Sequence, residues 1–113
     1  MPRAGAGYAA ERRAVRWYRL RGWRILGKNV WAGGNELDLI VRRGRTLRFV
    51  EVKEKRGSRF GDPLEMVTAE KRQRLRRAAE AWLAVRPELG RLVIGFDVIA
   101  VRNGRVRRLP QAF

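Results

Sequence analysis

Two carboxylates and a lysine are spaced so that a single hairpin can bring them together: Asp38, in Glu36-Leu37-Asp38, then Glu51 and Lys53, in Glu51-Val52-Lys53. Between them run Leu39-Ile40-Val41, the turn-like Arg42-Arg43-Gly44-Arg45-Thr46, and Leu47-Arg48-Phe49-Val50. Two apolar runs of strand length around a glycine-containing turn predict a β-hairpin. Gly44-Arg45 suits a two-residue turn of the primed kind, with glycine at its first central position. Partners then have numbers summing to 89 (44 plus 45), so Asp38 faces Glu51 and Glu36 faces Lys53. Facing Cβ atoms lie roughly 4.5–5.5 Å apart, close enough for both carboxylates to grip one small ion.

Like charges directly opposite on a sheet are destabilising. The face of Asp38 also carries Ile40, and that of Glu51 carries Leu47 and Phe49. Two acids on apolar faces need a counter-charge, and hard oxygen donors of this kind suit Mg²⁺ or Mn²⁺. Lys53 points the same way as Glu51, about 6.5 Å along the strand, where an ammonium can hold a water or a phosphate oxygen. The same residues also describe a solvated hairpin face with cross-strand ion pairs, and spacing alone leaves both readings standing.

Composition narrows the chemistry. The 113 residues carry 27 Lys and Arg against 11 Asp and Glu, a net charge of +16 with a pI near 11.8. That balance points to a polyanionic partner, most simply nucleic acid. The absence of cysteine and histidine excludes thiolate catalysis, a histidine base and Cys- or His-ligated zinc. Chemistry must therefore come from carboxylates, lysine, arginine, hydroxyls and bound water. The length suits one domain over residues 1–113, and 45% hydrophobic content argues against disorder. Without an 18-residue apolar run or a signal-peptide core, a cytoplasmic protein with no membrane partner is expected.

The elements that must position these groups follow from periodicity. Ala9 to Arg21 reads as a helix closed by Gly22, with Glu11 on the same stripe as Ala14, Val15 and Tyr18. On spacing alone, Glu11 is a first-turn glutamate favoured by the helix dipole. Arg24 to Trp31 reads as a strand bounded by Ala32-Gly33-Gly34-Asn35. Glu54 to Pro63 is a basic loop in which Arg56 and Arg59 suit phosphates and Phe60 suits a base or a plain surface anchor. Thr68 can cap a second helix running to about Arg86, before Pro87. Its buried face is Leu75, Ala78, Ala79 and Trp82, with Lys71 one turn ahead, placed either to bind phosphate or to snorkel. Arg74, a candidate nucleic-acid contact, covers the rest of that helix with its neighbours, most simply as a solvated face. Leu92 to Val101 is a near-continuous apolar strand, expected to be covered on both sides, with Asp97 as a structural acid. Asn103-Gly104 returns the chain into a short strand, Val106 to Leu109. The order αβββαββ defines an α/β fold, a mixed sheet with flanking helices.

Asp38 and Glu51-Val52-Lys53 resemble the defining positions of the PD-(D/E)xK nuclease superfamily. More of the chain resembles the YraN-like family of small bacterial proteins, through Gly7 to Glu11, Tyr18 to Leu26, Asn29, Glu36 to Ile40, Phe49 to Lys53, Phe60-Gly61 and Lys71. The chain departs from that family's usual pattern at Ala10, Trp31 and Asn35. The resemblance implies a restriction-endonuclease-like fold and a Mg²⁺- or Mn²⁺-dependent endonuclease acting on nucleic acid, with DNA favoured over RNA. It places Asp38, Glu51 and the carbonyl of Val52 on the metal, with Lys53 at the attacking water. By similarity to archaeal Holliday-junction resolvases it adds Glu11 as a third acid and implies a homodimer. Glu36 is a second-tier candidate that orients Lys53. The alternative function is a nucleic-acid-binding module with the nuclease fold and no meaningful turnover; a third is a basic adaptor whose acids only form ion pairs.

Overall fold

The computed structural model describes residues 7–55 and 67–113. Helix α1 spans Tyr8–Leu20 and turns Ala10, Ala14, Val15 and Tyr18 inward. Three strands follow as a meander: β1 (Arg24–Ala32), β2 (Asn35–Arg43) and β3 (Thr46–Lys55). Helix α2 (Ala69–Ala84) starts where the Thr68 hydroxyl accepts the Lys71 N–H at 3.2 Å, satisfying one of the helix's orphan donors. A 3₁₀ helix, Pro87–Arg91, leads into β4 (Val93–Arg102), and a tight turn joins β4 to β5 (Arg105–Leu109). At that turn Asn103 and Gly104 both have positive φ, +49° and +77°, as the type I′ geometry read from Asn-Gly requires.

The five strands lie in sequence order β1-β2-β3-β4-β5. All neighbours are antiparallel except β3 and β4, whose parallel pairing is made possible by the crossover through α2. The sheet is thus mixed, with two helices, consistent with a restriction-endonuclease-like fold. Alternate strand residues feed two cores. Leu39, Val41, Val50, Val52, Ile99 and Val101 pack with α1; Ile40, Leu47, Phe49 and Val98 pack with Leu75, Ala78, Ala79 and Trp82 of α2. Phe49 meets Trp82 edge to face at 5.8 Å between ring centres, a contact that adds about 0.5–1.5 kcal/mol beyond area burial. Val93 and Ile94 at the start of β4 are exposed, so the expected two-sided cover begins only further along that strand.

Asp97, fully buried on β4, joins four elements. It accepts from the Tyr18 hydroxyl at 2.8 Å, from Arg108 Nε at 2.8 Å and from the Gln111 N–H at 3.0 Å. Arg48 Nε lies 3.4 Å from its other oxygen. Burial, and then the charge of Asp97, push the Tyr18 phenol well above its ordinary range, so it remains a donor. The acid read as structural is structural, and two arginines rather than one compensate it.

The turn between β1 and β2 fixes how closely α2 approaches. Gly33 and Gly34 have φ of +57° and +78°, and a Cβ on Gly33 would lie 3.0 Å from the Arg77 carbonyl oxygen and 3.2 Å from the Ala78 Cα. Both atoms are helix backbone and cannot swing aside. Gly33→Ala is expected to cost about 1–3 kcal/mol, read as a lower urea midpoint with unchanged slope. Gly34→Ala, where the Cβ meets nothing within 4 Å, should cost only the left-handed strain, of order 1 kcal/mol.

Candidate functional site

The hairpin register follows the sum expected from its turn. Arg43 pairs with Thr46, Arg42 with Leu47, Val41 with Arg48, Ile40 with Phe49 and Leu39 with Val50. The ladder stops there. Asp38 and Glu51 are not backbone partners, and neither are Glu36 and Lys53; Glu36 pairs instead with Trp31 on β1. The strands part because the Asp38 carboxylate occupies the place of a backbone acceptor, taking the Val52 N–H at 2.9 Å. An acceptor is obligatory for a buried N–H, and a short carboxylate one residue beyond the last pair supplies it.

The same point disturbs the other side of β2. Pairing with β1 runs through Ala32–Asn35, Trp31–Glu36 and Val30–Leu37, then resumes at Lys28–Leu39. In the interval Asn29 takes φ +52°. Leu37 and Leu39 should share a face, yet Leu37 packs in the α2 core and Leu39 in the α1 core. The strand changes faces at Asp38, which leaves that carboxyl between the two helix layers.

Four further groups converge there. The carboxyls of Asp38 and Glu51 are hydrogen-bonded to each other, and the charge of Glu11 acts on Asp38. Burial first, then the charge and hydrogen bond of Glu51, push Asp38 up to about 8, against the pull of the Val52 N–H. Asp38 therefore tends to keep its proton near neutral pH. Lys53 Nζ lies 3.4 Å and Lys71 Nζ 3.2 Å from Glu51 Oε2. Lys53 thus pairs along its own strand with Glu51. Lys71 arrives from the first turn of α2, whose start is set by the Thr68 cap. Glu11, buried on α1, accepts from Asn29 Nδ2 at 3.5 Å.

The structure therefore brings together Asp38, Glu51, Lys53 and Lys71, with Glu11 close enough to act electrostatically. Among the described residues no three carboxylates lie close enough to form a ready metal cage. Val52 is present through its N–H on Asp38. Arg74 is exposed one turn along α2 from Lys71, and Arg56, Arg59 and Phe60 lie outside the described residues. Asn29 is the residue that patterns of charge and hydrophobicity pass over. Its signal is conformational, since asparagine is one of the few residues to enter the left-handed region readily.

An α/β protein whose mixed sheet opens between two strands to seat an acid pair and two lysines defines the class. The sequence pattern of the uncharacterised protein family UPF0102 matches residues 10–101. A UPF0102 protein of Paramagnetospirillum magneticum is 40% identical over 112 residues, covering 95% of this chain and 85% of the relative. One from Rhizorhabdus wittichii is 46% identical over 101 residues, 88% of this chain and 81% of its own. One from Symbiobacterium thermophilum is 42% identical over 114 residues, 95% and 94%. The chain belongs to the UPF0102 family, the YraN-like proteins. No helix among the described residues is long and apolar enough to cross a membrane.

Proposed function

We propose that the chain is a metal-dependent phosphodiesterase of nucleic acid, DNA before RNA, with Asp38 and Glu51 as its metal ligands. The observation that carries this reading is the convergence of half-buried Asp38 and buried Glu51, with Lys53 and Lys71 both on the Glu51 carboxylate. A fold gains nothing from forcing like charges together; a divalent cation is the partner that would make the pair favourable. The donors suit Mg²⁺ or Mn²⁺: the hard oxygens of Asp38 and Glu51 would hold the ion, with the Val52 carbonyl and, directly or through water, Glu11. Bound there, the ion would supply an acidified water and neutralise charge at the scissile phosphate.

The chain's own groups do the rest. Lys53 and Lys71, held on Glu51, are placed to turn their ammonium groups onto phosphate oxygens. Lys53 orients the attacking water, and Lys71 steadies the phosphate from the α2 side. Asp38 keeps the Val52 peptide fixed through its N–H and would be one of the residues that hold the cation. The net charge of +16 gathers the polyanion by counterion release.

One observation favours the alternative, a binding module without turnover: two lysines already compensate Glu51. A cleavage panel of duplex, single-stranded, flapped and four-way DNA with Mg²⁺, Mn²⁺ or EDTA decides between them. Metal-dependent products support the phosphodiesterase; none on any substrate assigns the chain to the binding module. In either case affinity for DNA should fall about a hundredfold or more between roughly 50 and 200 mM salt. Flat affinity over that range removes nucleic acid as the partner.

A further inference from the structure

Outside the acid pair, an open groove of about 720 Å³ runs between α1 and the edge strand β1. One wall is a single stripe of α1: Tyr8, Arg12, Val15 and Arg19, at spacings of four, three and four residues, which line up on one helix face. Leu20 and Arg16 complete that wall, and Lys28 and Asn29 form the other. Tyr8 and Leu20 are 63% and 71% exposed, which leaves their apolar surfaces open to a ligand in the groove. Four cations line the groove against one acid, Glu11. Glu11 lines this groove and also acts by its charge on Asp38, so the groove's inner end lies beside the acid pair's electrostatic reach.

We infer that this groove takes an unpaired nucleic-acid strand, with bases against Tyr8, Val15 and Leu20 and phosphates on Arg12, Arg16, Arg19 and Lys28, and leads it to the acid pair. The inference rests on the phosphodiesterase reading for what happens at the groove's inner end. Alternation of apolar and cationic side chains is what a single strand demands, since its bases offer open faces and its backbone one charge per nucleotide. A duplex hides those faces in its own stack and would engage only the cations, leaving Tyr8 and Leu20 in water. The volume falls within the range of ligand clefts. Asn29 donates to the groove's one acid, Glu11, at 3.5 Å. The preferred substrate is then a strand that leaves a duplex, such as a flap or a branch.

Binding in EDTA isolates this site from any cleavage. Labelled oligothymidylate and a blunt hairpin duplex of equal phosphate count are titrated by fluorescence anisotropy, with polyglutamate of matched charge as competitor. Tyr8→Ala should weaken oligothymidylate binding roughly tenfold, the scale of one lost stacking contact, and leave the duplex within about twofold. Tyr8→Phe should restore it. Leu20→Ala, at the far end and equally exposed, should shift the same preference independently of any effect of Tyr8 on folding. Equal losses on both ligands, or none on either, overturn the inference. Displacement by polyglutamate as readily as by unlabelled oligothymidylate also overturns it, assigning the groove to an acidic peptide. Failure of the phosphodiesterase reading shows elsewhere, as no products from the wild-type chain with metal.

Discussion

Asp38→Asn should lower metal-dependent cleavage by well over a hundredfold while leaving nucleic-acid binding intact or tighter. Groups that merely orient a metal ligand cost 10–100-fold when removed, and a ligand itself should cost more. The amide keeps the size of the side chain and its carbonyl can still accept the Val52 N–H. Stability gives the same variant a second readout. With Asp38 at about 8 in the fold and about 3.9 in an unfolded chain, the native state holds a proton that the unfolded state lacks across that interval. Unfolding free energy therefore falls as pH rises from about 4, and levels off beyond about 8. The stabilisation is complete below the unfolded value and lost through the folded one. Asp38→Asn removes this slope, so at pH 9 in EDTA the variant should outlast the wild type in urea. Millimolar Mn²⁺ should restore only the wild type, by mass action on the folded state. Parallel pH profiles for the two proteins would show that Asp38 does not carry the proton. Glu51→Gln should lose activity equally, but it also strands Lys53 and Lys71, so its stability gain should be smaller.

Asp97→Ala should be the most damaging substitution outside the site. It leaves Arg48 and Arg108 without their common carboxylate and deprives the Tyr18 hydroxyl of its acceptor. Removing one partner from a buried charge network costs about 3–5 kcal/mol. For a chain of this size each kcal/mol is worth about 4–8 °C, so a melting point at least 12 °C lower is expected, and loss of folding at 37 °C would follow in a marginal host. Asp97→Asn retains two acceptor contacts and should cost less. A melting point within a few degrees of wild type for the alanine variant would mean that the network is solvated in solution. Cleavage normalised to folded protein should be unchanged, because Asp97 faces α1 from β4 and touches none of the acid pair.

The hairpin was legible because its turn chemistry is local: glycine ahead of Arg45 selects a two-residue connection, and the register follows arithmetically. Lys71 was legible because a Thr cap and a stripe ending in Trp82 fix the helix's rotation. The divergence at Asp38 was not. A period of two assumes an unbroken pleat, whereas here a side chain replaces a backbone acceptor and Leu37 moves to the other core. The backbone ladder stops short of Glu36 and Lys53 for that reason. Arg48 and Arg108 were hidden for another. In strands full of arginine, those that turn inward to Asp97 look like those that face water. The 3₁₀ helix Pro87–Arg91 was passed over because its proline marks the end of one helix as well as the start of another.

The order of the strands has a consequence for how the site comes into being. Glu11, Asp38, Glu51 and Lys53 all belong to α1 and the antiparallel meander, whose contacts span short stretches of chain. Glu51 acquires its neighbour Val98 only through the parallel pairing of β3 with β4, which must wait for α2 and a long loop closure. Contacts of that separation form slowly. On the ribosome the acids are therefore synthesised, and can be aligned, while still wet and mutually screened. Their mutual repulsion should strengthen only when β4 docks beside Glu51 and water leaves.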